Sequence, residues 1–506
     1  MGAVASKRRR RAGGEGAHQH DPPTLVVGLG DAILDLILVA VPHERLLDLG
    51  IERGGCVQVP SAQIDSLLDA LAPGGGGNDG TRHAKRPEGL PGGSAANVIK
   101  GLAGLARATG ASDSLQCRFA GMVARDVAGE RYASALAAEG VEPLLLVAGA
   151  EDAGDEKTDD VDAASTARCL CLITPDGERT MRTCLGAAAR LRSAEAQLAP
   201  RRWLELSSTN GAKQPPQQPR LLVHLEGYAL YRPELAAGAL RAARAKNGAA
   251  SLDLASFELV RARRAPLLGL LREGLVDCLF CNEDEACALA EAAGLMVGGK
   301  KEGGREDDAD DRRARAAAAE EAAEAAAAAA AAGATDNPLP SMSPAAAAAQ
   351  RYLVEKGAGL CVVSLGARGC SALARSGGGN DRRRGAGNAT KTSAPLTLER
   401  AGARACSLRS PLIDTVGAGD TFTAGFLFAW LRGASLAGCC ALACAAGAEV
   451  VQVSGASLGA EGWARAWEAG GGVAGAKALV VADGAGEARA AAVAAVGGGA
   501  VAVAAA

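Results

Sequence analysis

The sequence predicts an α/β protein built on a mostly parallel sheet with helices on both faces. Three observations predict it. Short apolar runs that read as buried strands recur at 24–30, 117–123, 168–174, 220–226, 249–254, 276–281 and 360–365. Amphipathic stretches of helical period lie between several of them, at 95–108, 232–246 and 259–273. Strand and helix therefore alternate, which is the order a parallel sheet with crossover helices requires. Glycine-rich turns also stand directly before helix starts, at 92–93 and 417–419.

Composition narrows the class. The chain has 506 residues and is 48% hydrophobic, but much of that is alanine; aromatics make up only 3%, and there are 67 glycines. Alanine and glycine tracts lengthen a chain without filling a core. The folded unit is accordingly expected at 22–460, between a basic tail at 1–21 and an Ala/Gly-rich tail at 461–506. Four polar or low-complexity insertions are expected inside it, at 73–90, 206–219, 297–345 and 375–395, and an acidic stretch lies at 148–164. Alanine's helix propensity makes 312–332 a candidate solvated helix. A net charge of −3 gives no field that would draw nucleic acid. Apart from Ala/Val/Gly stretches, no run is apolar and long enough to span a membrane.

The fourteen cysteines are scattered, mostly in apolar runs where a thiol acts as a small hydrophobe. The one Cys-x-x-Cys, Cys278 to Cys281, reads as part of a buried strand, and the five histidines form no metal-spaced set. A reduced, cytoplasmic setting is expected. Met1-Gly2-Ala-Val-Ala-Ser6 fits a myristoylation pattern, followed by the basic run Lys7–Arg11. An arginine-rich leader is the favoured reading, so membrane attachment is expected only if Gly2 is acylated.

The strongest chemical signal is Asp414-Thr-Val-Gly-Ala-Gly-Asp420, opening onto a helical run with Phe422, Phe426 and Trp430. Backbone N–H groups at a helix start are unpaired, and the helix dipole favours an anion there. Gly417, Ala418 and Gly419 thus form a candidate anion hole, and Asp420 a candidate general base beside it. A second signal is Pro91-Gly-Gly-Ser-Ala-Ala-Asn97. Gly92 and Gly93 admit a ligand to the backbone, Ser94 reads as an N-cap, and Asn97 is placed for hydroxyl contacts. In a third segment, Gly28-Leu-Gly-Asp31-Ala-Ile-Leu-Asp35, an extended chain would put Asp31 and Asp35 on one face, suited to a polyol. A dinucleotide fingerprint fails here because its third glycine would be Ile33, and no P-loop Gly-Lys-Ser/Thr exists. Asn282-Glu-Asp-Glu285 and Ser364-Leu-Gly-Ala-Arg-Gly369 each follow a strand; they suit a Mg²⁺-bound phosphate and a nucleotide loop, or simply a helix start and a turn.

In this order, Gly-Gly-Ser-Ala-Ala-Asn and Asp-Thr-Val-Gly-Ala-Gly-Asp resemble the paired signatures of the pfkB (ribokinase-like) carbohydrate and nucleoside kinases, over about residues 24–460 less the insertions. The resemblance implies a ribokinase-like three-layer α/β/α core with a small β lid, here from 36–60 and 165–185. The stretch 166–181 reads independently as a hairpin around Pro175-Asp-Gly177. It further implies Asp420 as general base and Gly417–Gly419 as anion hole. Asp31, Asp35, Gly92, Gly93 and Asn97 would meet substrate; Asn282, Ser364, Gly366 and Gly369 would meet ATP. Glu285 would act on Mg²⁺ indirectly, and Asp414 would stand near a monovalent cation such as K⁺. The implied activity is transfer of the ATP γ-phosphoryl to a primary hydroxyl of a ribose-type substrate. The first-strand pattern and Leu225-Glu-Gly-Tyr228 are most similar to the adenosine-kinase branch, although Asp31 stands where that branch usually has asparagine. Tyr228 and Phe257 are the candidate aromatics to stack on a base. The alternatives are a ribokinase- or ketohexokinase-like sugar kinase, or a regulatory relative without turnover.

Overall fold

The computed structural model describes residues 23–53, 55–71, 87, 89–149, 165–176, 179–205, 221–295, 340–375 and 397–472. The N-terminal pattern at Gly2, the Ala-rich stretch 312–332, and most of the acidic stretch and the four insertions lie outside the described residues.

In chain order the strands are β1 (Thr24–Leu29), β2 (Ile33–Leu38), β3 (Cys56–Gln58), β4 (Leu90–Gly92), β5 (Leu115–Val123), β6 (Glu142–Val147) and β7 (Ala167–Ile173). They continue as β8 (Arg179–Cys184), β9 (Leu221–Glu226), β10 (Ala249–Asp253), β11 (Cys278–Asn282), β12 (Leu360–Ser364), β13 (Cys370–Arg375) and β14 (Leu398–Ala403). Among the described residues they form two sheets. The larger has the order β14-β13-β12-β11-β10-β9-β1-β5-β6. It is parallel from β12 through to β6 and antiparallel only at the β12-β13-β14 edge. The smaller has the order β3-β8-β7-β2-β4.

The central strands are legible because both their faces are covered. All six residues of β1 are buried: Leu25, Val27 and Leu29 pack toward one helical layer and Val26 toward the other. A strand buried on both faces is mostly apolar, which is why 24–29 and 221–226 stand out in the sequence, with Thr24, His224 and Glu226 as buried polar exceptions. The first layer contains helices Pro233–Ala245, Phe257–Arg272, Glu283–Ala293 and Pro344–Lys356. The second contains Ser94–Ala108, Val127–Ala138, Ala418–Leu431, Leu436–Val450 and Ala460–Ala469. The three-layer α/β/α architecture therefore holds, and the lid is the smaller sheet, with its own core of Leu36, Leu46, Ile64, Leu68, Leu170 and Leu172.

Several expectations are corrected. The extended reading of 28–35 breaks at Gly30–Ala32: β1 ends in the main sheet and β2 begins in the lid, so Asp31 lies in the connection between the sheets and Asp35 within the lid sheet. The lid also takes in β4 and the helix Ser61–Leu71, which the 36–60 and 165–185 segments omit. Strands β6, β13 and β14 escape the sequence reading: β13 and β14 mix polar, alanine and glycine residues, and β6, at the sheet edge, is a short Leu/Val run after Glu142-Pro143. The insertion expected to end at 345 ends earlier, since the helix Pro344–Lys356 is capped by Ser343. The folded unit also extends past 460. Trp463, on helix Ala460–Ala469, is 3% exposed and packs onto helix Ser94–Ala108. Gly104 makes the room: a Cβ there would lie 2.2 Å from Trp463 Nε1. Gly101 likewise lets this helix meet Ala424 of helix Ala418–Leu431, where a Cβ would fall 2.6 Å from the Ala424 Cβ. That close crossing brings the two glycine-rich motifs together.

Candidate active site

A cleft of about 1010 Å³ opens between the carboxyl ends of the parallel strands and the lid. This is where open α/β sheets place their ligands. Asp31, Asp35, Gly93, Asn97, Asn282, Glu285, Ser364, Gly417, Ala418, Gly419 and Asp420 all line it, although the sequence scatters them over nearly four hundred positions. Gly92 lies just behind this lining. A Cβ at Gly92 would come within 2.0 Å of Asp35 Oδ2, so only glycine lets β4 pass beneath that carboxylate. Gly366, Gly369 and Asp414 stand outside the lining. Gly369 serves packing, since a Cβ there would strike Ala403 O at 2.0 Å. Asp414 is buried and accepts from the Val416 amide at 2.8 Å and the Gly455 amide at 2.9 Å, which fixes the turn that leads into the motif.

Asp420 is in the first turn of helix Ala418–Leu431, whose N-cap, Gly417, has φ +70° and offers no side-chain cap. The Ala418 amide turns back to Thr415 O at 3.2 Å. Among the described residues the Gly419 and Asp420 amides meet no acceptor, so both are donors free for an anion. The Asp420 carboxylate is held at both oxygens: Ser94 Oγ donates to Oδ1 at 2.7 Å, and Asn97 Nδ2 donates to Oδ2 at 2.8 Å. Ser94 is thus not the expected N-cap. Gly93 holds that position, and the hydroxyl is spent on Asp420. Burial pushes the Asp420 carboxyl above the usual carboxylate range; the bonds from Asn97 and Ser94 and the charges of Arg179 and Lys100 oppose the rise. Asn97 Oδ1 is buried in the cleft wall without a partner, an acceptor in place for a ligand hydroxyl.

Asp35 is half-buried on β2, and burial pushes its carboxyl up to about 7 against the opposing charge of Lys100. Asp31 is less free. Its Oδ1 accepts from Arg232 Nη2 at 2.5 Å, and its amide donates to Glu226 Oε1 at 2.8 Å. Asn282 and Glu285 form a capping box in which each side chain meets the other's backbone amide. Their first task is therefore to start helix Glu283–Ala293, although both still border the cleft.

The structure adds residues that the sequence reading missed. Glu226, at the end of β9, bridges the Asp31 and Ala95 amides and so caps helix Ser94–Ala108 from another element. Asp253 ends β10, accepts from Thr423 Oγ1 at 3.1 Å, and is pushed up by burial and then by Asp420. Its position at the carboxyl end of a parallel strand was the available signal. Lys100, 4% exposed, donates to Pro91 O at 2.6 Å and stands within electrostatic reach of Asp35 and Asp420. Arg179, on lid strand β8, also lines the cleft and acts on both carboxylates. Of the two aromatics expected to stack on a base, Tyr228 lines the cleft. Phe257 does not: it is 42% exposed and lies under the Arg261 guanidinium.

The chain is similar in fold to a probable sugar kinase from Rhizobium etli CFN 42, at 22% identity and a TM-score of 0.58, over 88% of this chain and 98% of that one. It is similar to adenosine kinase from Sinorhizobium meliloti at 23% identity and a TM-score of 0.55, over 87% and 96% of the two chains. Adenosine kinase from Schistosoma mansoni, in complex with 2-fluoroadenosine, gives 17% identity and a TM-score of 0.56, over 86% and 97%. No curated protein sequence matches. The sequence pattern of the pfkB family carbohydrate kinases matches residues 64–334 and 405–462, which is more than half of the chain. With both glycine motifs meeting at one carboxylate, this phosphotransferase belongs to the pfkB family of carbohydrate kinases.

Proposed function

We propose that the protein transfers the γ-phosphoryl group of MgATP to a primary hydroxyl of a ribose-type substrate, with a nucleoside such as adenosine as the leading acceptor. One observation carries the reading: Asp420, fixed by Ser94 and Asn97, stands beside two unpartnered amides at a helix start that faces the cleft. Asp420 takes the hydroxyl proton while the Gly419 and Asp420 amides face the oxygens of the transferring group. Asp35 and Asn97 Oδ1 orient the other sugar hydroxyls. Arg179 follows the lid, so its charge is fully in place only when the lid covers the acceptor.

Asp253 and Glu285 repel each other across the nucleotide side of the cleft, and each is pushed up first by burial. Asp253 and Glu285 are the residues that would orient a Mg²⁺ ion, which would relieve that repulsion and neutralise phosphate charge. Asp414, whose two carboxylate oxygens accept from the Val416 and Gly455 amides, would be the residue to hold a monovalent cation, which would add positive charge near the turn.

A second reading is a sugar kinase. It is favoured by the position of Phe257 outside the cleft, so that of the two aromatics expected to stack on a base only Tyr228 lines it, beside Tyr231, Phe280 and Phe422. ADP release across adenosine, other nucleosides, ribose and ketohexoses, with and without K⁺, separates the two readings. A nucleoside responder upholds the first and a free sugar the second. Silence across the panel with ATP still bound would sink both.

A further inference from the structure

Lid strand β7 presents Leu170 and Leu172 to the lid core and Cys169 and Cys171 to the cleft, because successive residues of a strand alternate in direction. The two Sγ atoms are 3.6 Å apart. On the neighbouring strand Asp35 is in register with Cys169, and a carboxylate oxygen and both sulfurs lie within 4.8 Å of one another. We infer that Asp35, Cys169 and Cys171 form a binding site for one zinc-class divalent cation in the wall of the substrate cleft, and that the cation and the acceptor substrate exclude each other.

The geometry fits the metal. Two thiolates at about 2.3 Å from a tetrahedral zinc stand about 3.8 Å apart, close to the separation found here. Two sulfurs and one oxygen leave the fourth position open toward the cleft, through which the ion enters. Thiolate ligands select zinc-class ions over Mg²⁺, which requires an octahedron of oxygens, so the site would fill in the presence of the Mg²⁺ the kinase uses. Thr183 Oγ1 donates to Cys169 Sγ at 3.1 Å, so that sulfur is already oriented as an acceptor. Binding replaces the two thiol protons, which leave to solvent, and affinity therefore rises with pH. Exclusion of the acceptor rests on the proposed role of Asp35 in holding substrate hydroxyls; metal binding itself does not.

The test uses the full-length reduced protein, stripped of metal and titrated with Cd²⁺ in the absence of nucleotide. A thiolate-to-metal absorption band saturating at one ion per chain is expected. It should vanish in Cys169→Ser/Cys171→Ser and persist in Cys370→Ser/Cys444→Ser, which removes another close thiol pair, 3.7 Å apart and buried away from the cleft. In the unmodified chain Zn²⁺ should shield Cys169 and Cys171 from alkylation while Cys406, partly exposed and outside the cleft lining, keeps its reactivity, a readout that needs no variant. No band, a band that survives the first double substitution, or no shielding would overturn the site. With the site present, Zn²⁺ should raise the KM of the acceptor and leave that of ATP unchanged. An unaltered acceptor KM at saturating Zn²⁺ would overturn the exclusion. Phosphoryl transfer is not needed for the titration, so its outcome is independent of the kinase reading.

Discussion

Asn97 donates to Asp420 at 2.8 Å across 323 positions of sequence, and this bond joins the two glycine-rich motifs into one site. It restrains the carboxylate proposed as the general base, so its removal should act on the chemical step and not on the fold. Asn97→Ala is expected to lower kcat by about 10²-fold through misplacement of the base. Asp420→Asn should cost about 10²–10⁴-fold. Steady-state kinetics with thermal melts check both. Turnover near the unmodified level in Asp420→Asn would refute its role as base.

Arg179 reaches the cleft from the lid and faces Asp35 and Asp420. If its charge stabilises the transferring group, Arg179→Gln should reduce kcat by about 10²–10³-fold, the cost of removing one preorganised donor. The KM for ATP should change far less. A variant that alters only the acceptor KM would place Arg179 in acceptor binding instead.

The main sheet was legible because its central strands have no polar face to interrupt the apolar run. The lid was less so. Strand β2 alternates buried and half-buried residues, and apolar runs stand on both sides of Gly30-Asp31-Ala32, so the sequence marks an interruption there but not a change of sheet. Asp420, Asn97 and Asp35 were legible as residues in motifs, but the bonds between them were not. Glu226 and Arg232 were hidden for the same reason: their partner, Asp31, lies 195 and 201 positions away in the sequence, and only the packed fold reveals the pairing.

Trp463 was lost in Ala/Gly-rich composition, yet it is 3% exposed beneath helix Ser94–Ala108. Trp463→Ala should destabilise the protein by about 3–5 kcal/mol, as expected for deletion of a large buried aromatic. Because that helix carries Ser94 and Asn97, activity should fall at temperatures below the global melt. Urea denaturation measures the first effect. A loss under about 1 kcal/mol would return the segment to the tail that its composition suggests.

Asp35 gives the site a pH dependence. Its carboxyl is pushed up to about 7 by burial, so near neutrality the ionised, hydroxyl-accepting form is only partly populated. The kcat/KM for the acceptor should rise with pH through about 7, and Asp35→Asn should remove that step along with most of the affinity. The sign for stability is opposite. A carboxyl raised on folding contributes fully below its unfolded value, 3.8, and loses that contribution as pH climbs through about 7. Asp35→Asn should therefore be more stable than the unmodified chain at pH 8 and gain little at pH 4. Melts at the two pH values give the comparison, and an equal change at both would refute the assignment.

Gly417 and Gly419 separate fold from function within one turn. Gly417 has φ +70°, and a Cβ there would lie 2.3 Å from the Ala456 Cβ. Gly417→Ala must strain the backbone or push the 455–457 turn away, at a cost of about 1–3 kcal/mol, and should lower stability and activity together. A Cβ at Gly419 would meet nothing within 4 Å, because that direction opens into the cleft. Gly419→Ala should melt like the unmodified protein but place a methyl group where the transferring phosphoryl must approach the amides. Turnover should then fall by about 10²-fold or more, as when an oxyanion donor is lost. If Gly419→Ala keeps full activity, the open space beside that amide is not where the phosphoryl group passes, and the anion hole must lie elsewhere in the cleft.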